Sequence, residues 1–429
     1  MTRAMKDSGI EWIGEIPVDW RVIKLRQLGN FTSSGIDKLI NPEEPLVRII
    51  NYTDVYNNKD YVLKNKEYMV VSAPQDKVMQ HQVNIGDLIF TPSSETVEDI
   101  GVSALVIETL PNTAFSYHVL RYTFNNEVYL GFKKYLCNNF YVYSSFSSKA
   151  KGTIRKTLSR EDFKEQLVLL PPLPEQQKIA DFLDEKCSHI DSVLEKVRAS
   201  IDEYKQLKQS VITQAVTKGV RPNRPMKDSG IEWIGEIPQD WKVIKGKNVL
   251  ELLSKPVKET DTVITCFRDG EVTLRSKRRE DGFTISLQEI GYQGIDIGDL
   301  VVHGMDGFAG AIGISDSRGK GTPVLSVLDS KQNKKYLMYY LRAMAFNGVF
   351  IALATGIRVR SCDTSWNKLK NLPYPIPTED EQVEIVAYLD DKCSEIDKLI
   401  TKKEQLIAEL ETYKKSLIYE YVTGKKEVK

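Results

Sequence analysis

Few side chains in this 429-residue sequence have the types and spacing that catalysis or metal binding requires. The four histidines are widely separated, and no Cys-x-x-Cys pair is present. The stretch from Gly313 to Lys320 comes nearest to a phosphate-binding loop, but Gly321 stands where serine or threonine would bind the metal ion. We find no nucleophile elbow and no dinucleotide fingerprint. The sequence therefore predicts a chain that is not an enzyme and that holds no metal and no cofactor.

Clusters of basic and polar side chains are the remaining candidates, because lysine and arginine neutralise phosphates and arginine can read guanine. The net charge is zero, so such binding has to come from local clusters. A lone basic run is more often a solvated surface, and each polar loop is equally compatible with an ordinary turn. The candidate nucleic-acid-binding residues in the first half of the chain are Lys149, Lys151, Arg155, Lys156, Arg160, Ser93, Ser94 and Thr96. Those in the second half are Arg275, Lys277, Arg278, Arg279, His303, Arg358 and Arg360.

The elements that would position these clusters occur twice in the chain. Residues 5–24 recur at 226–245 with only two differences, and we call these segments the first and second box. A second pair of related segments lies at 175–191 and 381–397. Internal repetition of this kind indicates one structural unit used twice. Basic runs that fall at equivalent places in both copies are therefore as compatible with a shared role as with a solvated surface.

The stretches between the repeats, about 25–165 and 246–370, show little similarity to each other, and we call them the first and second variable region. Both mix short strand-like and helix-like patterns, which predicts two globular mixed α/β domains. The predicted strands are 47–50, 87–90, 104–107 and 299–302, and the predicted helices are 135–146 and 335–346.

Two long helices are predicted, over about 175–217 and 381–423. Their apolar residues recur at steps of three and four, and each helix would be roughly 60 Å long. Because one narrow apolar stripe on so long a helix needs a partner helix, the two should pair. Cys187 and Cys393 fall at equivalent places on them, which favours small buried residues over a metal site.

The composition indicates in which cellular compartment the chain is expected. No apolar run reaches the ~18 residues that span a membrane. Five cysteines in a chain of this length do not form a disulfide framework, so a reducing cytoplasm is expected.

The two boxes, the Leu-Pro-Pro-Leu-Pro-Glu-Gln segment at 170–176 and the tandem arrangement resemble the specificity subunit of type I restriction–modification systems. The resemblance covers essentially the whole chain. The second half departs from the proline motif, since it reads Thr-Glu-Asp-Glu-Gln at 378–382.

The resemblance implies two target-recognition domains that each read one half of a bipartite, asymmetric DNA site. It implies an antiparallel coiled coil of the two long helices, with a pseudo-two-fold internal repeat. It also implies docking of two methyltransferase subunits and of restriction (translocase) subunits, with no membrane partner. The expected domains are the first recognition domain 1–165, a helical spacer 166–220, the second recognition domain 221–370 and a C-terminal spacer 371–429.

Two rival hypotheses remain open at this point, and the less favoured of them is an enzyme with an unfamiliar site. A coiled-coil scaffold that holds two different protein-binding domains, without DNA recognition, would also explain the duplication and the neutral charge. It gives the paired basic runs no role. Specific DNA binding with a steep salt dependence would distinguish DNA recognition from this scaffold.

Overall fold

The computed structural model describes residues 3–125, 127–278, 289–354 and 363–428. The chain forms two units, the first Met1–Lys196 with Gln405–Lys429 and the second Val197–Glu404. Each unit therefore contains one box, one variable region and a part of each long helix. Among the described residues, no helix combines the length and the apolar composition that a membrane crossing requires.

The two long helices span Leu173–Lys218 and Glu379–Val422, close to the predicted bounds. In the first unit they run antiparallel, because Phe182 stacks against Tyr421 with ring centroids 4.5 Å apart while Asp191, further along, pairs with Lys414 at 2.6 Å. Cys187 lies buried in this seam, and burial raises the pKa of its thiol.

The second unit repeats this helix pairing. The Lys403 ammonium lies 5.5 Å from the centroid of the Tyr204 ring, and Lys208 pairs with Asp397 at 2.6 Å. Residue numbers again rise on one helix while they fall on the other. The predicted antiparallel pairing is therefore confirmed within each unit.

The first variable region is built on a five-stranded sheet. Across the sheet the strands are Gly29–Thr32, Leu120–Phe124, Leu88–Phe90, Ser103–Val106 and Val62–Leu63. The first four pair antiparallel, and the last pairs parallel to its neighbour. The other strands of the unit are Met5–Asp7 with Glu15–Pro17, Arg21–Lys24 with Leu167–Leu170, Ser93–Ser94 with Lys156–Thr157, and the three-stranded set Thr113–Phe115, Leu46–Ile50 and Met69–Ser72.

The second variable region is built on a four-stranded antiparallel sheet. Its strands, in order across the sheet, are Glu251–Leu252, Leu325–Asp329, Leu300–His303 and Ile312–Ile314. The other strands of the unit are Met226–Asp228 with Glu236–Pro238, Lys242–Lys245 with Pro373–Ile376, Ile264–Cys266 with Val272–Leu274, and Gln293–Ile295 with Gly319–Gly321.

The two sheets share an order of strands, although the variable regions show little sequence similarity. In both, the edge strand after the box pairs with a later strand, which pairs with the strand after a Gly-Asp turn. The turn is the same in both regions: Asp87 accepts a hydrogen bond from the backbone N–H of Asn84 at 2.9 Å, and Asp299 accepts one from Asp296 at 2.8 Å. These buried aspartates are therefore structural.

Short helices complete each unit. The predicted helix 135–146 is wrong in detail, because Asn139 caps a new helix by accepting a hydrogen bond from the N–H of Val142 at 3.2 Å. The helices of the first unit are Leu25–Leu28, Tyr52–Tyr56, Gln75–His81, Leu130–Cys137, Phe140–Lys149 and Arg160–Lys164. Those of the second are Arg275–Arg278, Lys334–Phe346, Val349–Ala352 and Trp366–Leu369, with 3-10 turns at Gly246–Asn248 and Gly307–Ala309.

Each box is tied to a long helix by a cluster of four side chains around one glutamate. In the second unit Glu381, fully buried on the long helix, accepts hydrogen bonds from Arg224 and from the indole of Trp241, the latter at 3.0 Å. Arg224 also pairs with Asp240 at 2.6 Å. A buried carboxylate is stable when cationic and N–H donors surround it in this way.

The first unit has the same cluster at equivalent positions. Glu175 accepts hydrogen bonds from Trp20 at 2.9 Å and from Arg3 at 2.7 Å, and Arg3 also pairs with Asp19. The hydrogen bond to Glu175 raises the pKa of Arg3. The Glu-Gln pair that the second half retains despite its altered proline motif therefore has a structural role in both units.

Candidate nucleic-acid interface

The first unit brings several of its predicted site residues together on one pair of short strands. The strand Lys156–Thr157 pairs with Ser93–Ser94, in the register Lys156 to Ser94 and Thr157 to Ser93. The backbones of Lys151 and Thr157 exchange hydrogen bonds of 2.8 and 3.1 Å and close the loop 151–157. We call this segment the basic loop. At its base, Gly152 has a positive φ of 116°, and a side chain there would clash with the carbonyl of Arg155.

The cations of the basic loop are not neutralised by acids. Among the described residues, no carboxylate lies within salt-bridge distance of Lys151, Arg155, Lys156 or Arg160. Lys156 donates to the carbonyl of Gly152 at 2.7 Å, and the guanidinium of Arg155 lies 5.1 Å from the ring centroid of Tyr52. These charges are therefore available to an anionic ligand such as a phosphate.

Further cations lie near the loop. Burial, followed by the charges of Lys38 and Arg155, lowers the pKa of His118. Arg160 begins the next helix and donates to the hydroxyl of Ser33 at 2.6 Å. Lys149 lies apart from the loop, at the end of a helix, where it is half-buried and burial lowers its pKa.

The predicted serine and threonine residues have a structural explanation of their own. Ser94 is fully buried, and its hydroxyl donates to Asp99 at 2.6 Å. The hydroxyl of Thr96 donates to the same carboxylate at 2.5 Å. Both hydroxyl groups are therefore bonded to Asp99, in the segment whose strand pairs with the basic loop.

Sequence reasoning missed the residue at the tip of the loop. Ile154 is 91% exposed, the largest exposure among the large apolar side chains described. An apolar side chain between unpaired cations is suited to contact a base edge, such as a thymine methyl group, while its neighbours hold phosphates. The sequence did mark this position: Ile154 is the one apolar side chain between residues 151 and 157, and it directly precedes Arg155.

In the second unit the predicted residues surround a cavity of about 700 Å³. Arg275, Arg278 and His303 line it, together with Arg268, which sequence reasoning also missed. Arg268 lies between the two strands of a hairpin and pairs with Asp306 at 2.8 Å. Asp269 and Asp306 line the cavity as well, so it is a candidate for mixed polar contacts with bases and phosphates and not a purely cationic site.

Burial lowers the pKa of His303, which favours the neutral imidazole. Its Nδ1 accepts hydrogen bonds from the backbone N–H groups of Asp306 at 3.0 Å and Met305 at 3.3 Å. The proton is therefore on Nε2, which can donate to a base or phosphate oxygen.

The remaining cations of the second unit are paired or lie outside the described residues. Arg278 pairs with Asp269 at 2.6 Å and with Glu271 at 3.0 Å, and Lys277 donates to Ser317 at 2.7 Å. The predicted residues that lie outside the described residues are Arg279, Arg358 and Arg360. Within the described ranges, no group of three histidine, cysteine, aspartate or glutamate side chains is arranged to hold a metal ion.

Known proteins match this chain in sequence and in fold. Residues 17–201 match the family model described as the type I restriction modification DNA specificity domain. A solved chain from a study of complex assembly and conformational transition of the type I restriction–modification system has the same fold, with a TM-score of 0.66 and 15% identity over 96% of this chain and 99% of that one. Residues 17–201 thus match the specificity domain, and the chain shares its fold with a chain from a type I restriction–modification system, which confirms the resemblance drawn from the repeated segments.

Two curated relatives come from Methanocaldococcus jannaschii. The specificity subunit assigned to the type I restriction enzyme MjaX is 27% identical over 241 residues, which is 54% of this chain and 53% of that protein. The specificity subunit of the type I restriction enzyme MjaVIII is 25% identical over 245 residues, 56% of this chain and 51% of that protein. The chain therefore spans about half the length of the curated relatives that it matches.

Proposed function

We propose that this chain is the DNA-recognising subunit of a type I restriction–modification complex and does no chemistry itself. The first variable region reads one half of a bipartite DNA target and the second reads the other half. The observation that carries this proposal is the basic loop, whose three cations, Lys151, Arg155 and Lys156, have no acidic partner among the described residues and flank an exposed apolar tip. The domain boundaries 1–165, 166–220, 221–370 and 371–429 are part of the proposal.

The two regions read different sequences because their surfaces differ in chemistry. The first presents a protruding loop with Arg155 and Lys156, whereas the second presents a cavity lined by Arg268 and His303. Because the two sheets share one strand order, both regions should dock on DNA in the same way. Because their surfaces differ, each should prefer a different DNA sequence. The target is therefore asymmetric.

The partners of the proposed complex are double-stranded DNA, two methyltransferase subunits that carry the reaction, and restriction subunits. The two long helices supply a docking surface, and the chain acts in the cytoplasm. The scaffold alternative is not favoured, because it leaves the unpaired cations of the basic loop without a role.

Charge reversal of the basic loop tests the proposal. The variant Arg155→Glu, Lys156→Glu, Arg160→Glu should weaken binding to all DNA and lower the slope of log K against log salt by about one for each lost phosphate contact. The variant Ile154→Ala should weaken binding to the cognate site only. Binding is measured by fluorescence anisotropy across salt concentrations, with the methyltransferase subunits present.

A matched control reverses Lys59, Lys64 and Lys77, exposed lysines of the same region that lie outside the loop. This control should leave cognate affinity almost unchanged. Equal losses in the loop variant and the control would reject the loop as the interface.

A further inference from the structure

A row of three polar side chains on the wall of the second unit's cavity has hydrogen-bonding groups that the fold leaves free. Arg268 donates to Oδ1 of Asp306 at 2.8 Å, and Oδ2 of the same carboxylate lies 3.9 Å from Nε2 of His303. That separation is too long for a hydrogen bond. Among the described residues, neither Oδ2 of Asp306 nor Nε2 of His303 has a hydrogen-bond partner. The row therefore presents one free acceptor beside one free donor.

The surrounding bonds fix which group donates and which accepts. Nδ1 of His303 accepts from the backbone N–H groups of Met305 and Asp306, so the ring proton is on Nε2. The bond from Arg268 occupies Oδ1 of Asp306 and holds the carboxylate in place. Nε2 can therefore only donate to a ligand, and Oδ2 can only accept from one.

The backbone around the row is held in place as well. His303 ends an interior strand of the four-stranded sheet, and its carbonyl accepts from the fully buried hydroxyl of Thr364 at 2.7 Å. Gly310 has a positive φ of 94°, and a side chain there would clash with the carbonyl of Arg268. The hairpin that carries Arg268 therefore packs directly against the turn that follows Asp306. A donor and an acceptor held in this way can distinguish ligands by the order of their own donors and acceptors.

Adenine is the base whose major-groove edge matches this pair of groups. It presents the N6 amino group as a donor beside N7 as an acceptor. Guanine presents two acceptors, N7 and O6, and O6 would face the carboxylate oxygen of Asp306. Thymine presents an acceptor and a methyl group, and cytosine presents only a donor. Adenine is therefore the base that supplies a partner to both groups.

We propose that Asp306 and His303 together read one adenine in the second half of the DNA target, with Asp306 accepting from N6 and His303 donating to N7. This inference rests on the proposed function and adds to it the side chains and the base for one position. The pair divides between two side chains the two hydrogen bonds that asparagine or glutamine makes to adenine with one amide.

Selection of randomised DNA duplexes by the full chain bound to its methyltransferase subunits tests this inference. The second half-site is the one that replacement of residues 246–370 changes, and the unaltered chain should select a fixed adenine in it. In Asp306→Asn the amide oxygen stays with Arg268 and the NH₂ group faces the base, so guanine should be selected at that position at least as often as adenine. His303→Phe keeps a ring without the donor, and affinity for the adenine site should fall by about tenfold.

Asp269→Asn is the matched control, because Asp269 lines the same cavity and loses the same charge, but Arg278 holds both of its carboxylate oxygens. Its selected sequences should equal those of the unaltered chain. The first half-site should stay unchanged in every variant, which shows that the complex has assembled.

A second half-site without a fixed adenine would overturn the inference and leave the proposed function standing. The same holds if Asp306→Asn and His303→Phe leave every position of that half-site unchanged, or if Asp269→Asn changes the same position. If the unaltered chain selected no sequence at all, the proposed function would fall together with the inference.

Discussion

At the scale of single residues, the molecule separates charges that stabilise the fold from charges left for a ligand. Arg224 is held by two carboxylates, and Arg3 is held in the same way in the first unit. Arg155 and Lys156, by contrast, have no acidic partner among the described residues. An arginine beside a buried glutamate contributes to stability, whereas an exposed unpaired arginine contributes to binding.

The buried cluster predicts a large effect from one glutamate. Glu381→Ala removes the acceptor of both Arg224 and Trp241 and leaves a mostly buried guanidinium with one partner less. We expect a loss of about 3 kcal/mol in the free energy of unfolding, measured by urea denaturation.

Glu384→Ala is the matched control, because Glu384 pairs with Arg221 on the surface of the same unit, where both side chains are about half exposed. Solvent screens such a pair, so stability should not change measurably. Equal losses from the two variants would show that the buried cluster does not stabilise the unit.

The sequence predicts those site residues that lie close together along the chain and misses those that only folding brings together. The cluster of basic residues in the loop is visible without a structure, because its members lie within six positions of one another: Lys151, Arg155 and Lys156. Arg268 is not, because only the pairing of distant strands places it beside His303. Arg3 and Arg224 lie just outside the compared boxes, and nothing in composition marks them as partners of a glutamate more than 150 residues away.

At the scale of elements, the long helices follow from their apolar spacing, and the sheets do not follow from the sequence. The strands of the two sheets are only two to five residues long and use different side chains for the same positions. Cores tolerate such exchanges when volume is kept, so strand order can persist after sequence similarity is lost. The repeated Gly-Asp turn was the one local trace of the shared sheet.

The helix seam predicts the outcome of a substitution on its buried face. Leu194 is 4% exposed in the first unit, and Leu194→Asp would place a charge there without a partner. We expect a loss of about 3 kcal/mol or more, seen as a lower melting temperature by circular dichroism.

Leu207→Asp on the same helix is the control, since Leu207 is 49% exposed. Its melting temperature should stay near that of the unaltered chain. If Leu194→Asp also melted like the unaltered chain, the apolar stripe would not be the seam between the helices.

At the scale of the whole molecule, the two copies share the elements that support the fold and differ in the surfaces proposed to contact DNA. The boxes and the Glu-Gln pairs are nearly identical in both halves, and the sheets keep one strand order. The basic loop of the first half and the arginine-lined cavity of the second differ. A protein built in this way can change one reading surface without altering the other.

The central claim is that each variable region reads its own half of the DNA target. The most direct test replaces residues 25–165 with the equivalent region of another specificity subunit and maps methylated adenines by single-molecule sequencing of genomic DNA. We predict a new first half-site combined with an unchanged second half-site. A change in both half-sites, or in neither, would contradict the account.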